Sequence, residues 1–510
     1  MPPTSARELI AAVLDEGSWI SWDVEITALP ADPAYADDVR RARLSTGLDE
    51  AVITGEGRID GRRVALAGTE FGFLGGSIGV DAADRLVAAV ERATAERLPL
   101  LASPTSGGTR MQEGTPAFVR MIAIADAVAA HRRAGLPYLV HLRHPTTGGV
   151  LASWGSLGHV TSAEPGATVG FVGPRVVEAL TGSRLPPDVQ SAEHLHDHGL
   201  LDAVVPTGAL ATVAARILRV LDGADAAADG PAPPVVDGDV LLGTDLAAAD
   251  GAWDSVRRTR RPERPGVADW LASGFTDVTV LSGTGEGEYE PSLLLALARL
   301  GGRSVVVLGQ DRRRAAATAP LGPAGLRTAR RGMRLAEELG LALVTVIDTS
   351  GAALTAAAEE GGLAQEIARS LAEQVSLATP TLAVLLGQGA GGAALALLPA
   401  DRVVAAAHAW LAPLPPEGAS AVVHRSADHA AGMAAAQGIC AADLTAAGIV
   451  DVVVAERPDA ADEPEAFLAR LTRVVAAELA EVVALDPAAR APQRRARYRG
   501  APHRGVGATS

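Results

Sequence analysis

The stretch His144-Pro-Thr-Thr-Gly-Gly-Val-Leu-Ala-Ser153 decides how this chain is read. The apolar run Pro137 to Leu142 before it predicts a strand, a glycine pair follows, and small residues then open a helix. The first N–H groups of a helix have no acceptor inside it, and glycine keeps side chains out of their way, so the pattern predicts an oxyanion site. Leu386-Gly-Gln-Gly-Ala-Gly-Gly-Ala-Ala-Leu395 repeats it more weakly. Two such sites are expected, one in each half, with the chemistry passing between them. Glycine pairs before helices also serve tight turns and close packing, and that plainer reading stands beside the ligand-binding one.

A chain of 510 residues exceeds one ordinary core, and about two to four domains are expected. All 45 basic residues are arginine, and neither lysine nor asparagine occurs. The chain therefore forms no lysine Schiff base, has no P-loop lysine, and cannot itself carry biotin on lysine. A formal net charge of -15 argues against a general nucleic-acid role. After Asp486 the six arginines Arg490, Arg494, Arg495, Arg497, Arg499 and Arg504, set among Pro and Gly without an acid, predict a basic disordered tail over 487–510. Cys440 is the only cysteine, which excludes an intrachain disulfide and a thiolate metal cluster and fits a reducing cytoplasm. Ser5 to Glu16 mixes charge into a helical pattern, so no secretory leader is expected. The uncharged run Val375 to Ala400 is long enough to span a membrane, but Pro380 and the Gly387 to Gly392 cluster break it. It reads as a buried strand, loop and helix.

Residues 1–45 predict a helical lead-in, with Trp19 and Trp22 as core aromatics. A hairpin follows over Ala51 to Ala67, turning at Gly61, then the glycine-rich loop Gly72 to Gly79. Helices are expected over Asp81 to Glu96 and Pro116 to Arg133, strands over Leu98 to Ser103 and Leu201 to Val205, and a further helix to Leu221. Composition predicts a linker over 222–260. Three segments then recur in order. Gly61-Arg matches Gly302-Arg 241 residues on, Gly148-Gly149 matches Gly391-Gly392 243 on, and Gly199-Leu-Leu-Asp-Ala-Val-Val205 matches Gly448-Ile-Val-Asp-Val-Val-Val454 249 on. The nearly constant offset predicts a tandem duplication of one α/β fold. No Ser/His/Asp or metal-ligand spacing stands out. His194, His196 and His198 alternate, but on a helix they are not expected to share one face. His144 reads as a loop histidine, and Glu359 and Glu360 as surface or loop carboxylates.

Gly75-Gly-Ser-Ile-Gly79, Ser106-Gly-Gly-Thr-Arg-Met-Gln-Glu-Gly114, Pro145-Thr-Thr-Gly-Gly149, Ala163-Glu-Pro-Gly-Ala167 and Gly170-Phe-Val-Gly-Pro-Arg175 closely resemble the carboxyltransferase beta subunit of bacterial acetyl-CoA carboxylase. Ile347-Asp-Thr-Ser-Gly351, Glu359-Glu360, Gly387-Gln-Gly-Ala-Gly-Gly-Ala393 and Pro416-Glu-Gly-Ala-Ser420 resemble its alpha subunit more loosely. A single chain carrying both is also similar to the propionyl-CoA type. Residues 1–221 are then the beta-like half and 261–486 the alpha-like half.

The resemblance implies a crotonase-like fold, a ββα spiral, in each half. It also implies transfer of carboxylate from carboxybiotin to the α-carbon of an acyl-CoA through an enolate. On the acyl-CoA side it assigns Gly148 and Gly149 to the enolate oxygen, with Gly75, Gly76, Gly107, Gly108, Arg110 and Thr147 lining the cleft. Arg110 would meet a CoA phosphate, though a loop arginine is as often a structural donor. On the biotin side it assigns Gly391 and Gly392, with Gly351, Gly389, Ala390 and Ala393 around them. The implied partners are a biotin carboxyl carrier protein and biotin carboxylase subunits. The implied assembly is a homo-oligomer built from dimers, such as a hexamer, in which one protomer's first half faces another's second half. The beta subunit's four-cysteine zinc ribbon has no counterpart, so no zinc is expected. The alpha subunit's Asp-Thr-Pro-Gly-Ala-Tyr-Pro-Gly becomes Asp348-Thr-Ser-Gly-Ala-Ala-Leu-Thr355. Its Gly-Glu-Gly-Gly-Ser-Gly-Gly-Ala becomes Gly387-Gln-Gly-Ala-Gly-Gly-Ala-Ala394, one position off. Two rivals stay open: a biotin-independent decarboxylase of a malonyl-type thioester, and a non-catalytic assembly subunit.

Overall fold

The computed structural model describes residues 3–186, 188–221, 234–242 and 251–499. The chain divides into two units, Met1–Arg219 with Leu281–Glu288, and Val220–Val280 with Tyr289–Ser510.

The first unit carries β1 (Ile20–Ser21), β2 (Val52–Ile59), β3 (Arg62–Thr69), β4 (Leu100–Ser103), β5 (Tyr138–Leu142), β6 (Thr146–Thr147), β7 (Val160–Ala163), β8 (Val169–Gly170) and β9 (Ala203–Val204). Seven of them form a sheet in the order β1-β2-β3-β4-β5-β7-β9. β2 and β3 make the expected antiparallel hairpin, with Val52 opposite Thr69 and Ile59 opposite Arg62. Its two turn residues, Asp60 and Gly61, both take positive φ, as a tight hairpin turn requires. The strands beyond β3 pair in parallel. Parallel strands covered on both faces must be apolar throughout, and every residue of β4 and β5 is buried.

The helix Val80–Ala95 covers the sheet with a stripe of Ala82, Leu86, Val90 and Ala93. Ile124 and Val128 of the helix Gly114–Arg133 join Tyr138, Val140 and Trp154 in the same core. Each buried Leu, Val or Ile contributes about 1.5–3 kcal/mol. A second, narrower ladder runs past the ends of the parallel strands. Ile78 bridges Thr109, Ser106 bridges Thr146, and β6 pairs with β8. Successive turns of the chain thus give a strand to the sheet, a short extended piece to this ladder, and a helix, which is the ββα spiral.

The second unit carries β10 (Thr276–Leu281), β11 (Leu293–Leu300), β12 (Arg303–Gln310), β13 (Ala342–Thr349), β14 (Thr381–Ala390), β15 (Arg402–Ala406), β16 (Trp410–Ala412) and β17 (Val452–Val454). Its sheet runs β10-β11-β12-β13-β14-β15-β17, with β16 beside β14. β11 and β12 form the antiparallel hairpin and the following pairs are parallel, as in the first unit. β11 starts 241 residues after β2, β15 starts 242 after β7, and β17 starts 249 after β9. The duplication expected from three short matches extends through the whole sheet.

Two expectations are corrected. The predicted linker over 222–260 is a helix at Ala252–Thr259, because Val256 has a core to enter with Trp410, Ala434 and Ile439. Residues 222–233 and 243–250 lie outside the described residues. The predicted disordered tail is a helix over Pro487–Arg499. Its Arg494 is 1% exposed, paired with Asp401, and donates to the carbonyls of Gln374, Leu377 and Thr379. A guanidinium can be buried when its donors are matched in this way. Residues 500–510 lie outside the described residues. The uncharged run folds as β14 followed by the short helix Gly391–Leu395, and no helix among the described residues is long and apolar enough to cross a membrane.

Candidate functional site

Three glycine-bearing loops meet at the ends of β3, β4 and β5. Gly107 donates its N–H to Gly75 O at 2.8 Å, Ser106 to Pro145 O at 2.7 Å and Thr147 to Ser106 O at 2.9 Å. Two positions there admit only glycine. A Cβ on Gly76, at φ +63, would lie 2.1 Å from Thr105 O, and one on Gly148, at φ +70, would lie 3.0 Å from Gly108 Cα. Glycine at these points lets backbone approach backbone.

The approach also decides which amides are open. Gly76 donates to Phe73 O at 2.9 Å, Gly108 to Ser106 Oγ at 3.0 Å, and Gly148 to Phe171 O at 2.9 Å. Gly148 therefore does not offer its N–H to a ligand, contrary to the assignment from the motif. Its carbonyl instead accepts from Ala152 at 3.2 Å and opens the single π turn Leu151–Gly155, which stands where the small-residue helix was expected. The amides heading that turn belong to Gly149 and Val150, and neither meets an acceptor among the described residues. Gly149 is half-buried and Val150 is buried. Of the pair, only the Gly148 N–H is taken by a backbone acceptor among the described residues.

Thr147 is buried, and its hydroxyl donates to Ser106 O at 3.3 Å, bracing the ladder. Arg110, assigned to the substrate, is 2% exposed. Its guanidinium pairs with both oxygens of Glu50 and donates to Ser77 O at 2.8 Å, which leaves nothing for a phosphate. His144 donates its N–H to Glu164 at 2.9 Å, and its Nδ1 accepts from Thr168 N–H at 3.0 Å. Burial opposes ionisation of Glu164, but the Thr207 hydroxyl, the His144 N–H and the Thr4 hydroxyl outweigh it and hold the carboxyl below its ordinary range.

The residue reasoning missed is Arg143. It is fully buried, and its guanidinium donates to Ser103 Oγ at 3.1 Å, Thr4 O at 2.6 Å, Thr69 O at 2.5 Å and Ser103 O at 2.8 Å. It ties the ends of β3, β4 and β5 directly behind the glycine turn, and burial pulls it down to about 10. An arginine closing the apolar run Pro137 to Leu142 was the available signal. His194 and His198 do share a face, with rings stacked at 4.0 Å, while His196 turns to Leu201 O at 3.1 Å. Among the described residues no group of three or more His, Cys, Asp or Glu is placed to hold a metal ion.

In the second unit β14 runs straight into the helix Gly391–Leu395. The N–H groups of Gly391, Gly392 and Ala393 head this helix and have no acceptor within it, and no side chain caps it. Gly391, at φ +68, and Gly392 are half-buried. Gly389 and Ala390, assigned beside them, are buried within β14 and pair with Leu411 and Ala412 of β16. Gly351, at φ +133, donates its N–H to Thr349 Oγ1 at 3.1 Å.

A charged group lies behind this turn, drawn from positions too far apart in sequence to be read together. Buried Asp348 accepts from Gln388 N–H at 3.0 Å and sits 3.2 Å from Arg312 Nε. Burial pushes its carboxyl up despite Arg312. Arg264 donates to Leu386 O at 3.0 Å and to Glu456 at 2.5 and 2.7 Å. Burial opposes Glu456 ionisation, but the Arg264 charge holds it below its ordinary range. Each unit therefore carries a turn headed by a glycine amide, Gly149 beside Val150 in the first and Gly391 beside Gly392 in the second.

Residues 4–491 match the family described as carboxyl transferase domain. A protein of Mycobacterium tuberculosis named probable biotin-dependent acyl-coenzyme A carboxylase beta3 subunit is 58% identical over 499 residues, covering 98% of this chain and 99% of its own. The acetyl-coenzyme A carboxylase carboxyl transferase subunits beta/alpha of Parafrankia sp. is 39% identical over 533 residues, covering 97% of this chain and 85% of its own. The crystal structure of transcarboxylase 12S, holding methylmalonyl-coenzyme A and methylmalonic acid, superposes with a TM-score of 0.73 at 23% identity, covering 94% of this chain and 90% of that one.

Proposed function

The chain belongs to the carboxyl transferase domain family, and from that premise we propose that it is the carboxyltransferase component of a biotin-dependent acyl-CoA carboxylase. The observation that carries this is the Gly149 N–H, which heads a turn and meets no acceptor among the described residues, on a residue that is itself only half-buried. Removing an α-proton beside a thioester places charge on its oxygen, and a preorganised N–H donor is worth about 3–4 kcal/mol there. Gly149 and Val150 supply that donor pair. Gly148, Gly75, Gly76, Gly107 and Gly108 shape the cleft through backbone contact, and Thr147 braces it. Arg110 holds the fold rather than the substrate.

The second turn suits a ureido oxygen, because Gly391 and Gly392 present amides with no side chain in front of them. Carboxybiotin, when bound, supplies the carboxyl group. With no lysine in the chain, biotin arrives on a separate carrier protein and is charged by a separate biotin carboxylase. The working form is a homo-oligomer of this chain within that complex. The test offers biotin together with malonyl-, methylmalonyl- or longer dicarboxylic acyl-CoAs and follows carboxylate. Transfer to biotin is the expected result. Release of free CO2 with no transfer from any of them would overturn the proposal in favour of a decarboxylase.

A further inference from the structure

The short helix Gly391–Leu395 leaves carbonyls at its far end without donors from its own turns. Three buried side chains from three different elements donate to carbonyls in the helix and in the segment that follows it. Gln310, the last residue of β12, donates Nε2 to Ala393 O at 2.8 Å. Thr345 of β13 donates its hydroxyl to Leu397 O at 2.7 Å. Gln374, from the helix Leu363–Ser376, reaches Leu397 O at 2.9 Å and Pro399 O at 3.1 Å. Ala393 O depends on this arrangement, because the Leu397 N–H that would ordinarily reach it donates to Ala394 O instead.

Gln310 differs from the other two in working in both directions. Its Oε1 accepts the Asp348 N–H at 3.2 Å while its Nε2 donates to the helix. It is 2% exposed, so water does not compete for either bond. The side chain is a strut between the end of β13 and the helix whose head carries Gly391 and Gly392. Only an amide satisfies both ends, since one atom must accept and the other must donate.

We propose that Gln310 is a positioning residue for the biotin half of the reaction, setting the direction in which the Gly391 and Gly392 amides point. This rests on the reading of that helix head as the biotin site. Gln310 touches no reacting atom. A carboxylate in its place keeps the bond from Asp348 N–H but turns a second acceptor toward Ala393 O, and protonation restores the donor. Leucine fills similar volume and makes neither bond.

The test compares full-length wild type, Gln310→Leu and Gln310→Glu between pH 5.5 and 9. Two quantities are read: amide hydrogen exchange across residues 386–400, and transfer from malonyl-CoA to free biotin. Gln310→Leu should exchange faster than wild type at every pH, and its kcat for transfer should fall about 10- to 100-fold, with the KM for malonyl-CoA unchanged. Gln310→Glu should follow the leucine variant at alkaline pH and return to wild type at acid pH in both readouts. Wild-type behaviour of Gln310→Leu, or a glutamate variant that never departs from the leucine one, would overturn the proposal. Gly391→Val separates the two layers. If it abolishes transfer while Gln310→Leu does not, Gln310 is wrongly assigned; if it leaves transfer intact, the biotin reading itself falls.

Discussion

Gly148→Ala strikes the proposed oxyanion site of the first unit at a close backbone contact. The residue sits at φ +70, where a side chain costs about 1–2 kcal/mol. The new Cβ would also lie 3.0 Å from Gly108 Cα and 3.2 Å from Gly107 O, both backbone atoms of a hydrogen-bonded ladder. Neither can swing aside as a side chain would, so the 147–149 loop must retreat, carrying the Gly149 N–H with it. Displacing one such donor costs roughly 3 kcal/mol in the transition state, on the order of 100-fold in kcat. Gly166→Ala is the matched control, since Gly166 sits at φ +68 with nothing within 4 Å of its Cβ. It carries the same backbone cost without the collision. Both variants should melt a few degrees early, and only Gly148→Ala should lose transfer from malonyl-CoA to biotin at saturating substrate. Wild-type kcat in Gly148→Ala, or an equal loss in Gly166→Ala, would refute the reasoning.

Arg110→Met should lower stability by about 3–5 kcal/mol, because it strands the buried Glu50 carboxylate, while the folded fraction keeps its KM for acyl-CoA. A raised KM with an unchanged melt would return Arg110 to the substrate. Burial holds His131 and His141 at about 4, below the ordinary 6.5, so between those values the unfolded chain binds protons that the native one refuses. Stability should therefore fall as pH drops through that window, by about 3 kcal/mol per histidine at its foot. Denaturant titrations at pH 7 and pH 5 should show the loss and His141→Gln should reduce it, and a flat profile would contradict the burial. Truncation after Asp486 should expose 374–401 to limited proteolysis, and Arg494→Met should reproduce most of that effect. An unchanged digestion pattern would show that the final helix is dispensable.

The hairpins, the parallel strands and the repeat were legible because each rests on local chemistry. Asp60-Gly61 turns a hairpin, unbroken apolar runs become strands covered on both faces, and a shared offset marks the second copy. What stayed hidden was decided by contacts between distant residues. Nothing near Gly148 announces that its amide is taken by Phe171 O, so the motif pointed to both glycines when only the second is open. Arg110 read as either a phosphate ligand or a structural donor, and only the fold brings it to Glu50, 60 residues away, and decides for the second. The arginines after Asp486 read as disorder by composition, yet Arg494 finds a full set of acceptors 93 to 120 residues upstream. The three histidines do not share one face, since His196 turns to Leu201 O, but the stacking of His194 on His198 went unread.

The reach of Arg494 also sets a schedule for making the protein. Synthesis runs from the N-terminus, so the carbonyls of Gln374, Leu377 and Thr379 leave the ribosome 115 to 120 residues before the guanidinium that caps them. At about 5–20 residues per second, that interval lasts on the order of 6–24 s. The first unit needs the chain only as far as Glu288, and it can close while translation continues. The second unit must wait for nearly the whole polypeptide before the carbonyls that lead into β14 gain their donor. A nascent chain of this kind is most exposed to aggregation late in its synthesis, and that is when a chaperone would be needed.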